Sequence, residues 1–151
     1  MPKEIERKFL VLDSSFVEKA FEIHEIVQAY ITTDKEAIIR VRISDEKAFI
    51  TIKGANKGIV RDEWEYNIPY DDANEMIERL PIKGIIRKTR YKVRADDGLT
   101  WEIDCFHGKH EGLILAEVEL PDESVKFNIP PFIGEEVTND PQYYNAVLSQ
   151  I

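Results

Sequence analysis

Residues 3–11 read KEIERKFLV. Glu4, Glu6 and Lys8 alternate with Ile5, Arg7 and Phe9. A period of two sends successive side chains to opposite faces of an extended strand. One face of this segment is therefore ionised. The other is apolar at Ile5, Phe9 and Val11 and interrupted by Arg7. A half-buried strand ordinarily turns its polar face to water. Whether this strand does so is decided by the segments that follow it.

The same alternation recurs along the chain. It predicts strands at 26–33, 37–44, 47–54, 60–69, 86–95, 99–106 and 113–120 besides 3–11. Turn signals separate several of them: Ser44-Asp45-Glu46, Gly54 to Gly58, Asp96-Asp97-Gly98 and Gly108 to Gly112. The short spacings favour antiparallel hairpins. Helices are few. Ser14 or Ser15 can cap one running through Phe21, and Asp71 or Asp72 one running through Leu80, stopped by Pro81. Asn139 or Asp140, with Pro141 in the first turn, caps a terminal helix whose apolar stripe is Tyr144, Val147 and Leu148. A short helical turn is expected near 121–126. The class is α+β, mainly β.

A length of 151 residues suits one domain, and no linker or repeat divides it. The net charge of −9 argues against broad nucleic-acid binding. A single cysteine, Cys105, excludes an internal disulfide, and no Cys/His cluster suggests a thiolate zinc site. The start of the sequence lacks an apolar stretch after a basic region, and no run has transmembrane length. A soluble, cytoplasmic protein is expected. The oligomeric state stays open, a homodimer included.

The polar faces of these strands are ionised in doublets of one sign: EIE, RVR, EWE, EID and EVE. Residues i and i+2 on one face lie roughly 7 Å apart, so each doublet is mildly repulsive. Either strands of opposite sign pair as neighbours, or a polyanion and its metal ions supply the countercharge. One geometry uses every doublet. Eight antiparallel strands close into a barrel, with charges lining a tunnel and apolar faces turned outward beneath the helices. Its wall would carry Glu4, Glu6, Glu63, Glu65, Glu102, Asp104, Glu117 and Glu119 as acids. Its bases would be Lys8, Arg40, Arg42, Lys53, Lys88 and Arg90. Carboxylates suit hard cations such as Mg2+ or Mn2+, and guanidinium and ammonium groups suit phosphate oxygens. A plain β-sandwich would leave the doublets unexplained.

These residues also carry a resemblance. The ordered set Glu4-Ile-Glu6-Arg-Lys8, Arg40-Val-Arg42, Thr51-Ile-Lys53, Glu63-Trp-Glu65, Lys88-Thr-Arg90-Tyr, Glu102-Ile-Asp104 and Glu117-Val-Glu119 resembles the CYTH superfamily, the triphosphate tunnel metalloenzymes. The tail Gly134-Glu-Glu-Val-Thr, with Tyr143, Tyr144 and Asn145, is similar to its short bacterial members. The resemblance spans essentially the whole chain. It implies a closed eight-stranded antiparallel tunnel, a divalent metal, and hydrolysis of inorganic triphosphate, with nucleoside or thiamine triphosphates as further substrates.

The resemblance also implies roles. Lys8, Arg40, Arg42, Lys53, Lys88 and Arg90 would hold the triphosphate. Asp104, Glu117 and Glu119 would hold a first metal, and Glu4 and Glu6 a second that activates water. Glu63, Glu65 and Glu102 would support either metal or orient the bases. Catalytic candidates are Glu4, Glu6, Lys88 and Tyr30. Tyr30 shares a face with Gln28 and Thr32 and is either a base beside several cations or a packed wall residue. His24, His107 and His110 show no metal-ligand spacing, and His107 and His110, in a glycine-rich turn, are expected as solvated loop histidines. Cys105 is expected as a small core residue, with Trp64 and Trp101 packed outside under helices. Two other functions use the same residues: a class IV adenylate cyclase making cyclic AMP from ATP, and a non-enzymatic polyphosphate-binding module. The short chain has no evident adenine grip, and pure anion binding would not need so many carboxylates.

Overall fold

Alternation with period two builds a sheet that closes on itself. The computed structural model describes residues 3–151. Its strands are β1 (Lys3–Val11), β2 (Ala20–Thr32), β3 (Ala37–Ser44), β4 (Lys47–Gly54), β5 (Val60–Ile68), β6 (Gly84–Arg94), β7 (Thr100–Phe106), β8 (Ile114–Glu119) and β9 (Ile133–Glu136). They run in the order β5-β4-β3-β2-β6-β7-β8-β1-β9, and pairing of β5 with β1 closes an eight-stranded antiparallel barrel. β1 serves three neighbours. Lys3–Ile5 pair with β5, Glu6–Leu10 with β8, and Phe9 and Val11 with β9.

The apolar core lies mostly outside the barrel. Phe9, Trp101, Ile103, Ala116 and Val118 point outward and pack with Phe16 and Phe132. Trp101 meets Phe9 at 5.4 Å and Phe127 at 6.0 Å between ring centroids. Its cover is the irregular chain around Phe127 and Phe132, not the helix expected from sequence. A second outer cluster joins Val41 and Ala48 to Ala73 of helix α1 (Tyr70–Arg79). The third cluster is internal. Tyr30, Ile38, Ile86, Phe106 and Leu115 pack against Val137, Ala146 and Leu148. Each of these five strand residues lies two positions from a polar tunnel residue, on the same face. One end of the barrel is thus apolar and plugged by helix α2 (Asn145–Leu148). Each fully buried aliphatic side chain there contributes roughly 1.5–3 kcal/mol.

Several elements differ from expectation, for tertiary reasons. β2 begins at Ala20, not 26, because residues Ala20–Glu25 pair with Thr89–Val93 of β6. That ladder limits the predicted first helix to a 3-10 turn over Ser15–Lys19. No helix forms near 121–126, which is an irregular bend. β9 was hidden in sequence, since Ile-Gly-Glu-Glu carries no alternation. The terminal helix is broken. Asp140 accepts from the Gln142 amide and starts a 3-10 turn over Pro141–Tyr143, Tyr144 is extended, and α2 follows. β6 starts at Gly84, where a Cβ would lie 2.3 Å from the Ser149 carbonyl oxygen. Only glycine lets the tail seat there.

Candidate active site in the tunnel

Inner faces divide into two arcs around the barrel. Consecutive strands β4, β3, β2 and β6 carry the bases Lys53, Arg40, Arg42, Lys88 and Arg90. Strands β7, β8, β1 and β5 complete the circle and carry Glu102, Asp104, Glu117, Glu119, Glu4, Glu6, Glu63 and Glu65. Lys8 is the one predicted base set among the acids. All of these except Asp104 line a cavity of about 220 Å3. That is small beside the roughly 300–1,000 Å3 of drug-sized, mainly apolar sites. Of the two sources of countercharge open from sequence, pairing between neighbouring strands operates at the seams where the arcs meet and for Lys8.

At one seam, Lys53 Nζ lies 3.0 Å from Glu4 and 3.3 Å from Glu63, and Thr51 donates to Glu65 at 2.7 Å. At the other, Arg90 donates through Nε and Nη2 to the two oxygens of Asp104 at 2.8 and 3.0 Å. Lys88 Nζ approaches Asp104 to 2.7 Å. Burial opposes the Asp104 charge, yet Arg90 and Lys88 hold its pKa down at about 2. Asp104 is therefore buried on the inner face, with both oxygens engaged by Arg90 and Lys88. Within the acidic arc, Lys8 Nζ lies 3.6 Å from Glu117.

Across the basic arc, charge is only partly compensated. Burial, then Arg40 and Arg90, lowers the Arg42 pKa to about 10. Burial is also the main cause that pulls Lys88 down to about 7; Asp104 opposes this, and Arg90 and Arg42 add to it. Arg40 Nε is buried with no hydrogen-bond partner among the described residues. An orphaned donor of this kind costs about 1–3 kcal/mol and awaits an acceptor. On the acidic side, Glu6 faces Glu119 and Glu102 faces Glu117 across the ladders. Burial, then Glu117 and Glu4, raises Glu6 well above the carboxylate range, and it hydrogen-bonds to an ionised Glu117. Burial, then Glu4, Glu63 and Glu102, raises Glu119 to about 7.

This donor set fits a hard divalent cation by atom type and by its unbalanced negative charge. Among the described residues, no three acidic, histidine or cysteine side chains already converge on one point as metal ligands. The carboxylates repel one another there, and a cation would draw them together.

Other expectations are sharpened or corrected. Tyr30 is buried in the wall, and its hydroxyl accepts from Gln28 Nε2 at 3.0 Å. The histidines are not simply solvated. His24 bridges Glu22 and Asp45 at 2.9 and 2.6 Å, His107 meets Thr89 Oγ1 at 2.6 Å, and His110 donates to the Leu148 carbonyl at 2.8 Å. Cys105 packs beside the outer core, where burial raises its thiol to about 11. Arg7 forms a two-pronged pair with Glu136 on β9 and lies 5.1 Å from the Phe127 ring centroid. Sequence reasoning assigned no role to several polar groups at the site, Arg61, Gln28 and Asn145 among them. Arg61 shares strand parity with Glu63 and Glu65, a signal that was present. Gln28 was placed on the right face without a role. Asn145 is brought in by the tail, which no periodicity could show.

Residues 2–146 match the family model of the CYTH domain. The chain is 47% identical to an inorganic triphosphatase of Acetivibrio thermocellus over 98% of this chain and 94% of that protein. It is 36% identical to an inorganic triphosphatase of Nitrosomonas europaea over 97% and 96%. The crystal structure of the inorganic triphosphatase NE1496 superposes with a TM-score of 0.69 at 31% identity, covering 100% of this chain and 97% of that one.

Proposed function

Because the chain belongs to the CYTH family, we propose that it is a metal-dependent triphosphatase, cleaving inorganic triphosphate to pyrophosphate and phosphate. One observation carries this reading. One tunnel cavity has a basic arc in need of an anion and an acidic arc in need of a cation, and a metal-bound triphosphate supplies both. The substrate class follows from the two relatives, both inorganic triphosphatases.

Arg40, Arg42, Lys88 and Arg90 grip the phosphate oxygens, with Arg40 Nε as the donor left without a partner. Lys8 and Lys53 meet the chain from the far sides of the arcs. These fixed donors stabilise charge as the terminal phosphoryl group transfers. Water oxygen bonds to the terminal phosphorus, the bridging P–O bond breaks, and pyrophosphate leaves with that electron pair. Glu4, Glu6, Glu117 and Glu119 would hold Mg2+ or Mn2+. When bound, such an ion adds positive charge at the phosphate oxygens and acidifies the attacking water. A neighbouring carboxylate accepts the water proton. Tyr30 OH accepts from Gln28 and faces the cavity beside the bound phosphates. Asp104 orients Lys88 and Arg90. Glu63, Glu65 and Glu102 hold bases at the seams.

The test uses purified protein stripped with a chelator and restored with Mg2+ or Mn2+. It is offered inorganic triphosphate, ATP and thiamine triphosphate, and phosphate and cyclic AMP are scored. Metal-dependent phosphate release from inorganic triphosphate is expected. No release from any of the three, or cyclic AMP as main product, overturns the reading.

A further inference from the structure

The C-terminal segment also supplies hydrogen-bond acceptors to the phosphate-binding side chains. Lys8 on β1 donates to the Tyr143 carbonyl at 3.0 Å. Lys88 on β6 donates to Asn145 Oδ1 at 2.8 Å. β1 and β6 are separated by β7 and β8 in the sheet, so the segment spans the tunnel from one wall to the other. Asn145 Oδ1 also accepts from Gln28 Nε2 at 3.3 Å.

The bonding capacity of these groups removes their freedom. Gln28 is fully buried. Its Oε1 accepts from Arg42 Nε and Nη2 at 3.1 and 2.9 Å, and its Nε2 donates to Tyr30 and Asn145. All four of its hydrogen-bonding positions are used, and a flipped amide would set its NH2 against the Arg42 donors. Asn145 is fixed by the same logic, since a flip would turn its NH2 toward the Lys88 ammonium. In its charged form Lys88 has three protons. One is directed at Asp104 and one at Asn145, which aims the third into the cavity that Lys88 lines. A lysine on a flexible stem with one anchor would have no such aim.

Resting on the reading of the tunnel as a triphosphate site, we propose that Asn145 is a positioning residue of that site. Its side-chain oxygen fixes the Lys88 ammonium and, through Gln28, the Arg42 guanidinium. The phosphate-binding wall is therefore complete only when the C-terminal segment is seated.

Two variants of the full chain separate this role from packing. Asn145→Leu keeps the size and removes the acceptor. Asn145→Gln keeps the carboxamide and disturbs the packing more. With Mg2+ and inorganic triphosphate, kcat/KM of Asn145→Leu is expected to fall about 100-fold, as for small misplacements of catalytic groups. Asn145→Gln is expected to stay within about tenfold of wild type. Retention by Leu and loss by Gln, or equal rates for all three proteins, overturns the inference. Crystal structures of the two variants give a readout without turnover. Lys88 Nζ is expected to leave its wild-type position in Asn145→Leu and to keep it in Asn145→Gln, and an unmoved Lys88 in the Leu variant overturns the inference. A wild type that releases no phosphate overturns the functional reading instead, and the crystal structures then decide the positioning role.

Discussion

Replacing Asp104 with asparagine removes the countercharge of two buried cations while keeping the side-chain shape. Asp104 and Lys88 are each only 1% exposed, and Arg90 7%. Asp104 receives Arg90 twice, at 2.8 and 3.0 Å, and Lys88 at 2.7 Å. A carboxylate lowered from 3.8 to about 2 contributes about 2.4 kcal/mol near neutral pH. Removing one partner of a buried pair costs about 3–5 kcal/mol, because the remaining charge stays desolvated. Asp104→Asn should therefore lose about 2.5–5 kcal/mol, lowering the urea midpoint by roughly 1–3 M. The sign follows from the depressed pKa. The Asp104 contribution is complete above pH 3.8 and is lost as the pH falls through about 2, so the gap between the two proteins should narrow in acid. The same variant decides what Asp104 does. As an orienter of Lys88 and Arg90 it should, when mutated, weaken triphosphate binding and leave Mn2+ affinity, read by electron paramagnetic resonance, near wild type. A loss below about 1 kcal/mol, or a fall in Mn2+ affinity matching that of Glu117→Gln, refutes this reasoning.

Three further outcomes follow from the same geometry. Glu6 and Glu119 have raised pKa values, with Glu119 at about 7, so the metal-free fold should lose stability as pH rises from the ordinary carboxylate range through 7. Mn2+ binding near pH 6.5 should then release protons and strengthen with pH, which calorimetry in buffers of different ionisation heat will show; affinity independent of pH between 5.5 and 8 contradicts it. Gly84→Ala would drive a methyl group against the Ser149 carbonyl. It should cost about 1–3 kcal/mol and reduce turnover by unseating the tail, and an unchanged melting temperature with unchanged turnover contradicts that account.

Much of this molecule was legible in the one-dimensional pattern. KEIERKFLV and its counterparts assign inner and outer faces by parity alone, because side chains in a strand alternate with an invariant period of two. Like-charge doublets on those faces are unexplained by an ordinary solvated sheet and point to a tunnel, with countercharge from neighbouring strands or from an anion and its metal ions. What pattern could not supply was the order of strands around the barrel. Pairing partners distant in sequence decide that bases gather on one arc and acids on the other, so that Asp104 pairs with Arg90 and Lys88 while Glu6 meets Glu119. The partner of Arg7 was equally hidden, because Glu136 lies 129 residues away on a strand with no alternation. Nor could it show that the tail folds back to place Asn145 on Lys88, since that contact depends on a glycine at 84 and an apolar plug formed by residues from five strands. The sequence by itself determined which side chains face inward. The tertiary structure decided which of them neutralise one another and which are left to bind, because compensation depends on distance in space and parity depends only on position along the chain.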